Sequence, residues 1–217
     1  MPPTAAAAAA QSKPKSSFIE TDTGNKVSRR ALLHGTQHIV LGGRVVIHPD
    51  VCIRGDLVRL APPPSSSKPA APSPAVTIGR YSHICQGTTL RPAPRVTPQG
   101  ASVYVPLKIG DHTYVSRDCI IEAASVGDHV WIGRGAVIGK LCVIRDCVKI
   151  LPGSVVPAGM VVGSGSIVGG RPARWVGELG EGWGSGGMEY VGEETAGGTA
   201  GSVGEGGDLR ELWRGVG

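Results

Sequence analysis

The sequence predicts an all-β fold in which short parallel strands wind into a three-sided β-helix of about five to six coils. Aliphatic residues recur at every sixth position in the second half of the chain, and they are Val126, Ile132, Ile138, Ile144, Ile150, Val156, Val162 and Val168. A period of six fits neither an α-helix nor a long alternating strand, but it suits a prism whose sides each contribute one inward side chain. Glycine directly follows five of the eight residues, and it supplies the backbone freedom that a tight corner needs.

The composition agrees with many short strands and tight turns. Gly and Pro provide 34 and 17 of the 217 residues, and aromatic residues make up only 4%, whereas average usage of Gly and Pro together is about 12%. No apolar run reaches the roughly 18 residues that cross a bilayer. The alanine-rich N-terminus lacks the basic start of a signal peptide. We therefore expect a cytoplasmic protein with reduced cysteines and no direct membrane insertion.

The N-terminal part of the chain is assigned in order. Residues 1–17 are expected to be disordered, and a β-helix domain is expected at 18–176. Within it, residues 18–40 should cap one end, because the unpaired strand edges of a solenoid need cover. Residues 61–75 contain six prolines and predict a disordered insert. Residues 91–108 predict a second and more ordered loop.

The C-terminal residues 177–217 differ from the body in composition and charge. This Gly-rich tail carries 2 basic and 8 acidic residues, whereas residues 1–176 carry 20 and 9. We expect the tail to be mostly flexible, with two helical turns as an option at 208–214. In the body, the basic residues are scattered singly without interleaved aromatic residues. We therefore expect a solvated basic surface and no nucleic-acid partner.

The repeat and several non-repetitive segments resemble known families. The repeat, closed by the residues GRPAR at 170–174, resembles the hexapeptide-repeat β-helices, which include acyltransferases and γ-class carbonic anhydrases. This resemblance implies a left-handed coil, which the six-residue period alone does not fix. Further segments resemble the β-helix subunits at the pointed end of dynactin, and they lie at 19–29, 39–43, 52–57, 109–112, 137–139 and 146–151.

The resemblance to the dynactin subunits implies a non-enzymatic structural and interaction role in dynein-driven transport, including that of endosomes. The implied partners are a second β-helix subunit (dynactin subunit 6), the pointed-end actin-related protein, the zinc-binding dynactin subunit, and dynein adaptors or cargo. The implied location is the cytoplasm and its microtubule cytoskeleton, and no cofactor is implied. The alternative is an enzyme, either a γ-class carbonic anhydrase-like protein or a hexapeptide acyltransferase.

Three positions discriminate between these functions. Alignment with the γ-class carbonic anhydrases places Arg91, Arg117 and Glu122 where that family has three zinc-binding histidines. Two cations and one carboxylate cannot replace three neutral imidazoles as a zinc site. We therefore expect no catalytic residue and no bound metal.

A column of polar residues gives a second candidate metal site. His112, His129 and Cys147 should stack on successive coils, and two imidazoles with a thiol could bind a soft divalent metal. A repeat stacks equivalent positions automatically, however, and the neighbouring aspartates are typical of turn caps. The other histidines, His34, His38, His48 and His83, are expected to be surface or capping residues.

Two further groups are candidates for structural or binding roles. Arg54 and Asp56 match an Arg-Gly-Asp element of the carbonic anhydrase family and predict a structural ion pair between coils. Tyr104, Val105 and Leu107 place apolar side chains in the loop at 91–108, where a solvated loop should be polar. This loop either folds back over an apolar face or contacts a partner, since Tyr is enriched at binding hot spots.

Overall fold

In the computed structural model, residues 17–58, 74–96, 100, 102–180 and 183 are described. Over these residues the chain forms 23 short strands and one 3-10 helix, Thr36–His38. The strands are β1 (Phe18–Glu20), β2 (Lys26–Ser28), β3 (Leu32–His34), β4 (Ile39–Leu41), β5 (Val46–Ile47), β6 (Cys52–Arg54), β7 (Val76–Ile78), β8 (His83–Ile84), β9 (Thr89–Leu90), β10 (Ala93–Val96), β11 (Ser102–Val105), β12 (Leu107–Ile109), β13 (Tyr114–Val115), β14 (Ile120–Ile121), β15 (Ser125–Val126), β16 (Trp131–Ile132), β17 (Val137–Ile138), β18 (Val143–Ile144), β19 (Lys149–Ile150), β20 (Val155–Val156), β21 (Val161–Val162), β22 (Ser166–Gly170) and β23 (Ala173–Glu178).

Three parallel sheets form the sides of a prism. Side 1 has the order β1-β2-β5-β8-β13-β16-β19-β22-β23, in which β1 and β23 are antiparallel additions at the two ends. Side 2 has the order β3-β6-β9-β14-β17-β20, and side 3 has the order β4-β7-β12-β15-β18-β21. The chain visits the three sides in turn. The observed coils agree with the predicted all-β solenoid.

Successive coils stack in register. Ile132 pairs with Ile150, and Ile109 pairs with Val126. The coil from Ile109 to Val126 is shorter than the coil from Ile132 to Ile150, because it contains the one interval of five residues that interrupts the six-residue repeat. The backbone hydrogen bonds between coils run along the prism axis, as in the 2.8 Å bond from the Trp131 N–H to the Val148 carbonyl. Each coil is therefore held to the next by all three sides.

The core is a single column of aliphatic side chains inside the prism. The eight residues of the predicted repeat are each no more than 3% exposed, and they are Val126, Ile132, Ile138, Ile144, Ile150, Val156, Val162 and Val168. Burial of one such side chain contributes roughly 1.5–3 kcal/mol relative to exposure. The residue before each core position points outward, because successive side chains of a strand lie on opposite faces.

Aspartates stabilise the corner between sides 3 and 1. The Asp111 N–H donates to Asp128 Oδ1 over 2.7 Å, and the Asp128 N–H donates to Asp146 Oδ1 over 2.9 Å. Gly127 precedes Asp128 because a Cβ there would collide with the Asp146 carboxylate. The aspartate column therefore ties each corner to the next coil.

Two extrusions leave the corner between sides 2 and 3. One separates β6 from β7, and the predicted insert at 61–75 falls largely outside the described residues. Ala75 is an exception, because it is 2% exposed and belongs to the core. The other extrusion is the predicted loop at 91–108, which forms an antiparallel hairpin of β10 and β11. Pro94 pairs there with Tyr104, so the proline-rich sequence forms strands after all.

The two ends of the prism differ from the predicted caps. Residues 26–41 form the first coil itself, so only β1 of the expected cap at 18–40 lies beyond the coils. At the other end β23 extends past residue 176 to Glu178, inside the predicted tail. Of the predicted segment at 1–17 only Ser17 is described, and of the tail only 177–180 and 183. No helix in the described ranges has the length and hydropathy needed to cross a membrane.

Candidate interaction surface

Arg91 and Glu122, two of the three positions that the sequence alignment places at zinc ligands of the enzyme family, form an ion pair. The Arg91 guanidinium contacts the Glu122 carboxylate, whose side chain is 10% exposed. Both residues follow strands of side 2, whereas Arg117 lies at the corner between sides 1 and 2. The chain therefore places a cation against Glu122 and separates Arg117 from the pair. In the described part of the chain, no three His, Cys, Asp or Glu side chains converge as metal ligands.

The histidine column is a stack of rings. The His112 and His129 rings lie 5.0 Å apart with 10° between their planes, and the Tyr81 ring stacks on His112 at 5.1 Å. All three residues, like Cys147, have φ between 52° and 55°. The aspartates beside them accept backbone hydrogen bonds. The column is therefore a stack of equivalent corner residues on successive coils.

Arg54 and Asp56 form an ion pair within one corner, which corrects the expected pairing between coils. Arg54 Nε and Nη2 donate to the two Asp56 oxygens, each over 2.7 Å. The Arg54 hydrogen bond lowers the pKa of the Asp56 carboxyl. Because both side chains are more than a third exposed, the pair adds little stability.

The candidate contact residues of the hairpin occupy different environments. Tyr104 and Val105 lie on β11 and are half-buried. Leu107 is fully buried in β12, where it pairs with Val76 in the regular coil. The inclusion of Leu107 in an exposed contact loop was therefore wrong, since Pro106 marks the return to the coil rather than the loop. Val96, near the hairpin turn, is 68% exposed.

Exposed apolar side chains concentrate at the two ends of the prism. Six of the eight large hydrophobic side chains that are exposed among the described residues lie on end strands. At the N-terminal end they are Ile19, Leu32 and Val40, and at the C-terminal end they are Val161, Trp175 and Val176, with Trp175 62% exposed. Their strands also present unpaired backbone groups. Apolar side chains beside open strand edges are typical of a surface that another sheet covers.

Side 2 carries a row of uncharged side chains just before its core positions, which we call the side 2 stripe. Its outward residues pair in register from coil to coil, and they are Leu32, Cys52, Thr89, Ile120, Val137 and Val155. The stripe is about 24 Å long at 4.8 Å per strand. Ile120, at its centre, is 43% exposed. Leu32 is also exposed and the other four residues are half-buried, so the stripe is a candidate contact surface.

The sequence contains a signal for this stripe. Because the chain visits the three sides in turn, every third hexapeptide belongs to side 2. In each of these hexapeptides, the residue just before the core aliphatic residue points outward. Along the chain these residues are uncharged, whereas the outward residues of side 1 include Lys26 and Lys149. Reading the outward positions by side, rather than the inward ones alone, would have shown it.

Comparison with known proteins identifies the sequence family. The sequence model of the dynactin subunit 5 family matches residues 69–187. Dynactin subunit 5 of Dictyostelium discoideum is 41% identical over 113 residues, which are 52% of this chain and 48% of that protein. The chain thus spans about half the length of this curated relative. The predicted resemblance to the β-helix subunits of dynactin is confirmed.

Solved structures with a similar fold include acyltransferases. AntD, an N-acyltransferase from Bacillus cereus solved with dTDP and 3-hydroxybutyryl-CoA, has a TM-score of 0.53 at 19% identity, over 72% of this chain and 80% of AntD. A GDP-perosamine N-acetyltransferase from Caulobacter crescentus has a TM-score of 0.51 at 17% identity, over 71% of this chain and 57% of that one. At these identities the likeness concerns the fold alone, and it confirms the left-handed β-helix.

Proposed function

Because the chain belongs to the dynactin subunit 5 family, we propose that it is a non-enzymatic structural and interaction subunit of the dynactin pointed-end complex. The observation that carries the proposal is the concentration of exposed apolar side chains on the end strands of the prism. A solitary solenoid would leave these strand edges open to unwanted pairing. A subunit that stacks against other rigid bodies covers them.

The C-terminal end is the site that we assign to the second β-helix subunit, dynactin subunit 6. Val161 on β21 and Trp175 with Val176 on β23 lie there. This end falls within the family match at 69–187, whereas β1, β3 and β4 at the opposite end lie before it. Trp is the residue type most enriched at interface hot spots.

The remaining surfaces suit the other partners. The N-terminal end, with Leu32 and Val40, is assigned to the pointed-end actin-related protein and the zinc-binding dynactin subunit. The side 2 stripe and the β10–β11 hairpin are assigned to dynein adaptors or cargo. In this role the protein acts in the cytoplasm on the microtubule cytoskeleton, and it supports dynein-driven transport, including that of endosomes.

The ion pair of Arg91 and Glu122 supports a role without catalysis. A guanidinium has no lone pair to give a metal, and here it is held against the carboxylate. With an ion pair in place of zinc-binding residues, this part of the protein serves as a rigid scaffold. The scaffold itself is what the proposed function requires.

Co-purification of the chain with dynactin subunit 6 tests the proposal. Trp175→Glu and Val161→Lys should each reduce the recovered partner about tenfold or more, because they place a charge in the interface. Both side chains are at least 60% exposed, so the melting temperature should stay within about 1 °C of the parent value. Val40→Lys, an exposed apolar residue at the other end, is the matched control. Full partner recovery with both C-terminal variants would refute the assignment.

The hairpin has its own test. Tyr104→Ala should reduce recovery of adaptor or cargo proteins and leave dynactin subunit 6 bound, because the hairpin leaves a corner away from the prism ends. A lower melting temperature with unchanged recovery would show instead that Tyr104 packs against its own chain.

A further inference from the structure

The outer face of side 1 is more buried than the other two outer faces. Val46 and His83 precede the core residues Ile47 and Ile84, so both point away from the core, yet they are 0% and 2% exposed. Outward residues elsewhere are more accessible, as with Ile120 on side 2 at 43% and Val40 on side 3 at 46%. His83 was expected to be a surface or capping residue, and this expectation was wrong.

The two extruded segments start and end away from this face. Both leave the corner between sides 2 and 3, which is opposite side 1 in a three-sided prism. The strand β1 extends side 1 at its edge by pairing with β2 and so does not lie over its face. Among the described residues, the Tyr114 ring lies 6.4 Å from the His83 ring, and the strand order places no strand over this face.

One C-terminal residue already lies on this face. The Trp183 indole N–H donates to the His129 carbonyl over 3.0 Å. Lys149 Nζ lies 5.2 Å from the Trp131 ring centroid and 5.5 Å from that of Trp183. Trp131 and Lys149 are outward residues of side 1, so the chain returns over side 1 after β23 ends at Glu178.

We propose that the segment 184–217, which follows Trp183, docks on the outer face of side 1 and covers His83 and Val46. The face continues from Trp131 through Tyr114 and His83 to Val46. These three steps span about 14 Å at 4.8 Å per strand. The stretch 184–207 is ample for this distance, because an extended chain advances by roughly 3.3 Å per residue.

The sequence of this segment contains a suitable apolar face. Leu209, Leu212 and Trp213 have the i, i+3, i+4 spacing that places side chains on one side of a helical turn. The segment carries six acidic and two basic residues. From β2 to β22, the outward residues of side 1 include Lys26 and Lys149 and no acidic side chain. Charge therefore favours this occupant over a basic partner.

Chemical modification of His83 in the full-length chain tests the proposal. Diethylpyrocarbonate modifies accessible neutral imidazoles, and mass spectrometry quantifies each site. His34, which is exposed on side 2, serves as the internal reference. The double variant Leu212→Asp, Trp213→Ala should increase the modification rate of His83 about tenfold relative to His34. Arg210→Ala, off the apolar face, should leave the rate unchanged.

A rescue experiment separates docking from misfolding. A synthetic peptide of residues 204–217, added in excess to the double variant, should restore the protection of His83, and a peptide with both substitutions should not. Protection that persists in the double variant would overturn the proposal. Protection that depends on protein concentration would point to a second copy instead. Protection that appears only when dynactin subunit 6 is bound would assign the face to that partner.

Discussion

At the residue scale, the corner glycines show how the repeat constrains its sequence. Gly127 follows core residue Val126, and Gly163 follows core residue Val162, so the two occupy equivalent places. A Cβ at Gly127 would collide with the Asp146 carboxylate and the Arg145 backbone of the next coil, whereas a Cβ at Gly163 would meet only Ser166 Oγ at 3.6 Å. Gly163 lies on the last turn of side 3, which no further coil covers.

Gly127→Ala should therefore destabilise the fold by about 1–3 kcal/mol, the usual cost of overpacking. Gly163→Ala should change the free energy of unfolding by less than about 1 kcal/mol. Urea denaturation of both variants measures the difference. Equal stabilities would mean that the aspartate column does not restrict the corner.

His48 provides a prediction on pH dependence. Burial, and secondly the positive charge of Arg117, lower the pKa of His48. The folded protein then binds fewer protons than the unfolded chain between this lowered pKa and about 6.5. Stability from this group is complete above pH 6.5 and declines as the pH falls towards the lowered value.

Arg117→Gln should raise the pKa of His48 but leave it below 6.5, because burial is the larger cause. NMR titration of the imidazole measures this value. Arg134→Gln, which changes the stacked arginine of the next coil, should have no effect. A pKa that returns fully to 6.5 in the Arg117 variant would show that charge, not burial, dominates.

At the element scale, the basic unit of the fold is the two-residue strand, which places one side chain inside the prism and one outside. Ile144 on β18 is 1% exposed, and Val161 on the adjacent β21 is 60% exposed. Ile144→Ala should cost about 2–5 kcal/mol through lost burial and a cavity, and Val161→Ala less than about 0.5 kcal/mol. Thermal denaturation distinguishes them, and similar costs would contradict the inward register.

The elements that could be predicted are those with a single inward residue. The spacing of six residues predicted the core positions of all three sides, because the same inward packing recurs in every coil. The β10–β11 hairpin could not be predicted this way, since Pro94 is unfavourable in most strands and is tolerated only where pairing is limited to one neighbour. The ion pair of Arg54 with Asp56 was predicted, but its position within one corner was not, because coil spacing does not specify side-chain rotamers.

At the scale of the whole molecule, the ion pair of Arg91 and Glu122 predicts the metal content. Protein produced with zinc in the medium should contain far less than one zinc per chain, measured by elemental analysis after dialysis. The Arg91 charge would repel a cation beside Glu122. Stoichiometric zinc together with carbon dioxide hydration would overturn the non-enzymatic proposal.

The hydrogen bonds between coils also determine how the prism responds to force. Because they run along the axis, tension between the two ends passes through every interface between coils, and the interface with the weakest bonds should open first. Force across the axis instead loads the bonds of all coils in shear. If both ends are bound by partners, as we propose, the prism resists compression and sideways loading best and is weakest when its ends are drawn apart.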